Sequence, residues 1–270
     1  MDRNKVSISV VIPCHEAEGH IAACIDAVKN SDVPVLEIIA VDDCSPMSLE
    51  GAIGKKYANL KIIRHDKNRG PGAARNTGVK NATGEYIVFL DSDTRVLQDT
   101  ISTLVSFLKE DKRRGIVGGR FILENGGRMS WNMGHEPNWG RELGGYLMHP
   151  FFKLFSGNKF VNKMAMFFNL NEWEYDRTIR VSWVAEGCCA LRRDLFMNLG
   201  GFDEKFFMFH EGPDLCRRAR DAGYEVWFKH DAECPLLDKH SHTKDERDNY
   251  FWESTRLYKK KHSFWGKLFK

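Results

Sequence analysis

A repeating order of short apolar segments and helical segments constrains the fold of this chain more than any other feature. Residues 6–12, 36–41 and 60–64 are rich in β-branched and apolar side chains, as expected of strands buried on both faces. Residues 21–29 and 49–57 lie between them and have the spacing of helices. Strands joined by helices pair in parallel through right-handed crossovers. The order therefore predicts an α/β fold with a mixed, mostly parallel sheet flanked by helices.

The strand predicted at residues 86–90 ends abruptly in two carboxylates, Asp91 and Asp93, with Ser92 between them. In open α/β sheets, ligands bind outside the carboxyl ends of the strands. Two acids at that edge repel each other unless a positive charge lies nearby. A hard divalent cation accepts carboxylate oxygens and keeps positions for phosphate. The pattern predicts a Mg²⁺ or Mn²⁺ site; the alternative is that Asp93 only caps a following helix.

A glycine-bearing loop at residues 68–78 leads into a further predicted helix. Backbone N–H groups at a helix N-terminus bind anions, and Arg69 and Arg75 add positive charge to a turn that contains Gly70 and Gly72. The loop lacks the Gly-Lys-Ser/Thr of a Walker motif and is no G-x-G-x-x-G fingerprint. We interpret it as an anion-binding loop; the alternative is an ordinary joint between loop and helix.

Charge and cysteine content argue against several classes of protein. The 270-residue chain has a net charge of +3, too small to indicate a nucleic acid partner. Its seven cysteines include no C-x-x-C pair, which disfavours a zinc or disulfide framework and is typical of a reducing compartment. No signal-peptide pattern or apolar run of transmembrane length is visible, so we expect a cytoplasmic protein.

Two segments depart from the α/β pattern. Residues 124–175 are irregular and rich in aromatic residues. We interpret them as an insertion that forms an acceptor-side lid or a patch that meets lipid; the alternative is an irregular subdomain that buries these aromatics in a small core of its own. Residues 249–270 alternate aromatic and basic side chains. This predicts a basic amphipathic helix at an anionic membrane surface, unless the helix docks its aromatics on the domain. The expected domains are 1–235, with the insertion, and a tail at 236–270.

Five motifs in order resemble the inverting glycosyltransferases of family 2, which have the GT-A fold. The resemblance covers most of residues 6–230. The motifs are VVIPCH at 10–15, VDDCS at 41–45, NRGPGAARNTG at 68–78, DSD at 91–93, and GGFDE at 200–204 followed by Glu211 and Asp214-Leu215-Cys216.

The resemblance implies metal-dependent transfer of a sugar from a nucleoside-diphosphate sugar to an acceptor hydroxyl, with inversion. It assigns Asp93 to Mg²⁺ or Mn²⁺, Asp91 to the ribose or metal, and a late histidine, His240 or His242, to the metal and diphosphate. The residues implied for the donor are Pro13, His15, Glu16, Asp42, Asp43, Arg69, Gly72, Arg75, Asp91 and Ser92. Asp43 would suit the N3–H of uracil or thymine, which favours a UDP- or dTDP-sugar.

The resemblance breaks at the catalytic base. Family members usually carry Glu-Asp-x-Asp before Leu-Cys, and the second residue is the usual base, but glycine holds that position here, at Gly212. We expect Glu211 to act as the base and Asp214 to be the second choice. The alternatives are an impaired nucleotide-sugar-binding homologue and a nucleotidyltransferase. The expected acceptor is a saccharide or lipid-linked saccharide of polysaccharide or glycolipid synthesis.

Overall fold

The computed structural model describes residues 6–53, 56, 57, 59–124, 126, 127, 129, 132–134, 147, 148, 150, 151, 154, 155, 158, 161, 177–237 and 243–262. Most of the aromatic segment 124–175 therefore lies outside the described residues, with Trp131, Trp139 and Trp173. His240, His242 and residues 263–270 lie outside them as well.

The described part of the chain contains the strands and helices expected of an α/β protein. The strands are β1 (Ile8–Cys14), β2 (Glu37–Asp42), β3 (Leu60–Arg64), β4 (Tyr86–Leu90), β5 (Arg114–Leu123), β6 (Met133–Gly134), β7 (Ile179–Val181), β8 (Trp183–Val184), β9 (Cys188–Arg192) and β10 (Glu225–Leu236). The helices are α1 (Ile21–Lys29), α2 (Leu49–Ile53), α3 (Pro71–Lys80), α4 (Thr100–Glu110), α5 (Arg193–Asn198), α6 (Glu211–Asp221) and α7 (Lys244–His262).

Eight strands form one sheet in the order β3-β2-β1-β4-β9-β5-β10-β7. The pairs β3–β2, β2–β1, β1–β4 and β5–β10 are parallel. Strand β9 runs antiparallel to both β4 and β5, and β7 is antiparallel to β10. Every residue of β4 is buried, as expected of a strand covered on both faces. The prediction of a mixed, mostly parallel sheet flanked by helices is confirmed.

Residues 179–192 form three short strands, β7, β8 and β9, and not one continuous strand. The break before β9 contains Glu186 and Gly187. A Cβ built on Gly187 would lie only 2.6 Å from Cγ of Asp91, so the backbone approaches that carboxylate more closely than any side chain at position 187 would allow. The turn between β8 and β9 is thereby placed directly against the end of β4.

Helix α7 docks on the rest of the protein. Ser254 is buried and donates its hydroxyl hydrogen to the carbonyl of Met208, at 2.7 Å. The ring of Phe251 packs on that of Phe209, with centroids 5.8 Å apart, whereas Trp252 is 60% exposed. For residues 244–262, these contacts favour the docking interpretation over the membrane helix. Among the described residues, no helix is both long enough and apolar enough to cross a bilayer.

Candidate active site

The carboxyl ends of β1, β2 and β4 meet at one edge of the sheet, beside the N-terminus of α3. Parallel pairing requires this, because it brings the carboxyl ends of neighbouring strands together. The backbone of this edge is tied by a hydrogen bond between Nδ1 of His15 and the carbonyl of Asp43, at 3.0 Å. Most of the residues that the sequence analysis assigned to the donor lie along this edge.

Asp43 fixes the glycine-bearing loop at the end of β2. Its carboxylate accepts hydrogen bonds from the backbone N–H groups of Arg69 at 3.0 Å and Gly70 at 2.7 Å, and it pairs with Nδ1 of His65 at 2.7 Å. Gly70 has φ of +86°, and its missing side chain makes room for the carbonyl of Phe207. Both carboxylate oxygens of Asp43 thus contact the protein. A bond to a pyrimidine base would compete with one of these contacts.

Asp42, the other acid of the pair, faces the interior. It is fully buried and accepts hydrogen bonds from the N–H groups of Ser45 at 2.9 Å and Leu49 at 3.2 Å, and it pairs with Arg64. Burial alone would raise the pKa of Asp42, but these hydrogen bonds outweigh it and lower the pKa. The structure therefore uses Asp42 to hold the start of α2 to β2, and the side chain does not face the ligand edge.

Arg75 joins α3 to the end of β4 and to α6. Its buried guanidinium places Nη2 at 2.6 Å from Oδ1 of Asp91 and Nη1 at 3.6 Å from Oε1 of Glu211. Burial opposes the charge of this side chain, but Asp91, Glu186 and Glu211 together raise the pKa of Arg75 above its ordinary value. One cation thus sits among three carboxylates.

Glu211 is the most perturbed acid of this group. It is only 4% exposed, and its Oε2 has no hydrogen-bond partner among the described residues. Burial and the neighbouring charge of Glu186 raise the pKa of Glu211 to about 8, although Arg75 partly offsets them. Burial also raises the pKa of Glu186, so two neighbouring carboxyl groups beside Arg75 hold their protons more tightly than ordinary glutamates.

Glu186 is a site residue that the sequence analysis did not identify. It lies in the turn between β8 and β9, and its carboxyl group lies against the backbone of Gly212. A Cβ built on Gly212 would fall inside this carboxyl group and 2.7 Å from Cγ of Glu186. The only signal in the sequence was the glycine at position 212, which indicates open space but does not indicate what fills it.

Asp214 holds helix α7 in place. The carboxylate is fully buried and contacts Nε of Arg218 at 2.8 Å, Nζ of Lys261 at 2.7 Å and Nε2 of His262 at 2.7 Å. Burial opposes its charge, but these partners lower the pKa of Asp214 to about 2. A carboxylate with two cationic neighbours, a histidine contact and no exposed surface is poorly suited to accept a proton from a substrate, so the geometry does not favour Asp214 as a base.

Asp91 and Asp93 are the acids that could hold a cation. The side chain of Asp91 is 40% exposed, whereas Asp93 is buried at the edge of a turn that follows β4. Two carboxylates supply the hard oxygen ligands that Mg²⁺ and Mn²⁺ bind, and a nucleotide and water can complete the coordination, so the donor set fits. The described residues contain no group of three or more histidine, cysteine or acidic side chains arranged to hold a metal.

The remaining predicted donor residues lie around this edge. Ser92 has its hydroxyl 3.1 Å from Nε2 of His20. Arg69 directs its side chain to Glu204, with Nη2 2.7 Å from Oε2. Pro13 is half-buried at the end of β1, and Gly72 lies in the first turn of α3. Glu16 is exposed, with φ of +53° and its N–H bonded to Ser45.

The fold and the position of the acids define a GT-A fold of the kind found in glycosyltransferases. Staphylococcus aureus TarS has a TM-score of 0.64 with 19% identity, covering 96% of this chain and 40% of TarS. The mannosyltransferase PcManGT from Pyrobaculum calidifontis, solved with GDP-Man and Mn²⁺, has a TM-score of 0.62 with 18% identity, covering 94% of this chain and 65% of that one.

The sequence match specifies the family. The sequence model of the protein family described as glycosyl transferase family 2 matches residues 9–200, which is well over half of the chain. The chain therefore belongs to glycosyltransferase family 2, and the resemblance seen in the motifs is confirmed.

The curated relatives are longer than this chain. The poly(ribitol-phosphate) beta-glucosyltransferase of Bacillus spizizenii is 36% identical over 139 residues, which are 49% of this chain and 22% of that protein. The glycosyltransferase AglE of Haloferax volcanii is 26% identical over 231 residues, 83% of this chain and 64% of AglE. The chain thus spans between about a fifth and two thirds of the length of these relatives.

Proposed function

We propose that this protein transfers a sugar from a nucleoside-diphosphate sugar to an acceptor hydroxyl, in a metal-dependent reaction that inverts the anomeric centre. The observation that carries the proposal is the contact between Arg75 and Asp91, at 2.6 Å, beside two further carboxylates at the ligand edge of the sheet. Such a grouping of acids around one buried cation is costly for stability and typical of a functional site.

On the donor side, the proposal assigns diphosphate binding to the edge between Asp91 and the N-terminus of α3. Asp91 and Asp93 would hold Mg²⁺ or Mn²⁺, which when bound offsets the negative charge on a leaving diphosphate. The positive end of α3, held in place by Asp43 through Gly70, favours an anion at the same edge. The guanidinium of Arg75 contacts Asp91 and orients its carboxylate, and the guanidinium of Arg69 contacts Glu204.

On the acceptor side, the hydroxyl must lose a proton as its oxygen bonds to the anomeric carbon. We infer that a carboxylate near Asp91 receives it, and Glu186 and Glu211 both interact with Asp91. Direct displacement by an acceptor held on the face of the sugar opposite the diphosphate inverts that carbon, and no enzyme nucleophile is needed.

For the donor nucleotide, we propose uridine or thymidine diphosphate. TarS, one of the structural neighbours, has been solved with UDP-GlcNAc, whereas PcManGT has been solved with GDP-Man, so the neighbours alone do not decide the base. For the acceptor, we propose a saccharide or lipid-linked saccharide of surface polysaccharide synthesis, which is consistent with the poly(ribitol-phosphate) transferases among the relatives.

A thermal-shift screen of nucleotide sugars with Mn²⁺ tests this function. A donor that binds the folded state raises the melting temperature by mass action. We expect a UDP- or dTDP-sugar to raise it more than the matching GDP-sugar, and we expect the shift to shrink when EDTA replaces Mn²⁺. Failure of every nucleotide sugar to raise the melting temperature would overturn the proposal.

A second candidate is a homologue that binds the donor without transferring sugar, and the glycine at position 212 favours it. The two candidates differ in turnover. Release of free nucleoside diphosphate from a bound donor, with water or a sugar as acceptor, identifies an enzyme; binding without release identifies the homologue.

Peripheral membrane contact is proposed only for residues 263–270. Sedimentation with anionic vesicles, comparing the whole chain with a chain ending at His262, tests it. Equal sedimentation of the two would remove this contact from the proposed function.

A further inference from the structure

The second residue of α6 is Gly212, and the space that a side chain would take there is occupied by a side chain from another segment. Glu186 reaches this space from the turn between β8 and β9, and its carboxyl group lies against Gly212. Any side chain at position 212 would overlap this carboxyl group. Gly212 and Glu186 therefore depend on each other: the glycine makes room, and the glutamate places a carboxylate at the position of the absent side chain.

We propose that Glu186 is the general base of the reaction, and that its carboxylate replaces one that helix α6 lacks at Gly212. This inference rests on the proposed function and deepens it. In the step, Glu186 accepts the proton of the acceptor hydroxyl. The acceptor oxygen forms its bond to the anomeric carbon, and the bond from that carbon to the diphosphate oxygen breaks with its electron pair leaving on the diphosphate.

Accessibility distinguishes Glu186 from Glu211. Glu186 is partly exposed as a residue, whereas Glu211 is only 4% exposed and has Nη1 of Arg75 3.6 Å from its Oε1. A base must come within hydrogen-bond reach of a bound hydroxyl, which requires an accessible oxygen. Glu211 then acts as a positioning residue, because it balances Arg75 and keeps the neighbouring carboxylate in place.

The charges around the site agree with this division of roles. Arg75 is the buried cation that faces Asp91, Glu186 and Glu211. Burial raises the pKa of Glu186 above its ordinary value, which makes its carboxylate a better proton acceptor than an exposed glutamate. The location of Glu186 near Asp91 also follows from the sheet, since Cys188 at the start of β9 pairs with Leu90 at the end of β4.

The first test is the isosteric change Glu186→Gln. Glutamine has the same shape as glutamate and fits the same space beside Gly212, so we expect the fold and donor binding to persist. We expect kcat to fall by about 10²- to 10⁴-fold, with the donor-induced thermal shift unchanged. Glu85→Gln is the matched control, because Glu85 is exposed and precedes the opposite end of β4. Turnover of Glu186→Gln equal to that of Glu85→Gln would overturn the assignment.

The second test moves the carboxylate back to the helix. Glu186→Ala removes the base and empties the space at position 212, and Gly212→Asp then adds a carboxylate there. We expect the double variant Glu186→Ala/Gly212→Asp to be at least about tenfold faster than Glu186→Ala/Gly212→Ala, which fills the same space without an acid. Equal rates for the two double variants would also overturn the proposal.

Donor binding separates this inference from the proposed function. If the wild-type protein shows no thermal shift with any nucleotide sugar, the proposed function fails. If it binds and transfers sugar but Glu186→Gln is fully active, only the assignment of the base fails.

Discussion

Arg75 and Asp91 form the central contact of the site, with Nη2 of the arginine 2.6 Å from Oδ1 of the aspartate. Arg75 lies in the first half of α3, and Asp91 directly follows β4. The pair therefore connects the glycine-bearing loop to the acids at the end of the central strand. Because Arg75 also faces Glu186 and Glu211, its removal affects three carboxylates at once.

We predict that Arg75→Met destabilises the protein by about 3 kcal/mol, because it leaves buried acids without a cation. Urea unfolding measures this change. Glu211→Gln in the same background removes a buried acid that has lost its neighbouring cation, so Arg75→Met/Glu211→Gln should recover about 1 kcal/mol or more. A double variant no more stable than Arg75→Met would show that Glu211 does not interact with the arginine.

A second prediction concerns Gly187. The change Gly187→Ala inserts a methyl group against the carboxyl group of Asp91, so we expect that carboxylate to move. Mn²⁺ affinity, measured by calorimetry, should fall about tenfold or more if Asp91 contributes to the metal site. Gly19→Ala is the control, because no atom lies within 4 Å of a Cβ built on Gly19. Unchanged Mn²⁺ affinity in Gly187→Ala would argue against a metal role for Asp91.

The two glycines of the loop give a matched pair for stability. Gly70→Ala should cost about 2–3 kcal/mol, because φ is +86° and the new methyl group overlaps the carbonyl of Phe207. Gly72→Ala should change stability by less than about 1 kcal/mol, since its Cβ would make ordinary contacts, such as 3.5 Å to Cβ of Phe202. Thermal unfolding distinguishes the two, and a similar cost for both would contradict the loop geometry described above.

Acid should weaken the docking of helix α7 through His210. Burial, with a smaller effect of Lys259, lowers the pKa of His210 to about 4 from its ordinary value of 6.5. Between those values the unfolded chain binds a proton that the folded protein excludes, so the free energy of unfolding falls as pH decreases from about 6.5 to 4. The ring is partly exposed, so the full shift is discounted to about 2 kcal/mol.

The variant His210→Asn tests the role of this ring. Asparagine does not titrate in this range, and it tolerates the left-handed φ of +64° at this position. We expect its stability to depend less on pH between 6.5 and 4 than that of the wild-type protein. Parallel pH profiles for the two proteins would assign the acid sensitivity to other groups.

The strands and the ligand edge of the sheet could be predicted from the sequence because their signals are local. A run such as Tyr86–Leu90 followed by Asp91 records both burial and the end of a strand in consecutive residues. Glu186 gave no such signal. Its role depends on the approach of the turn before β9 to helix α6, and no periodicity in the sequence encodes a contact between segments so far apart.

Asp42 and Asp43 show a second limit of the sequence. The two residues look equivalent in sequence, but alternate side chains of an extended segment point in opposite directions. Asp42 therefore holds α2, while Asp43 holds the glycine-bearing loop. Alternation alone does not say which of the two acids points to which side. The contacts of Asp42 with Arg64 and of Asp43 with His65 show this, and they exist only in the folded sheet.

The reversed direction of β9 has a consequence for how such a sheet can acquire chemistry. A strand that runs with its neighbours brings only its final residues to the ligand edge, whereas β9 brings its first. The residues that follow β4 and the residues that precede β9 therefore lie next to each other at this edge. A carboxylate that helix α6 lacks can therefore be supplied by the short turn between β8 and β9, without any change in the register of the strands.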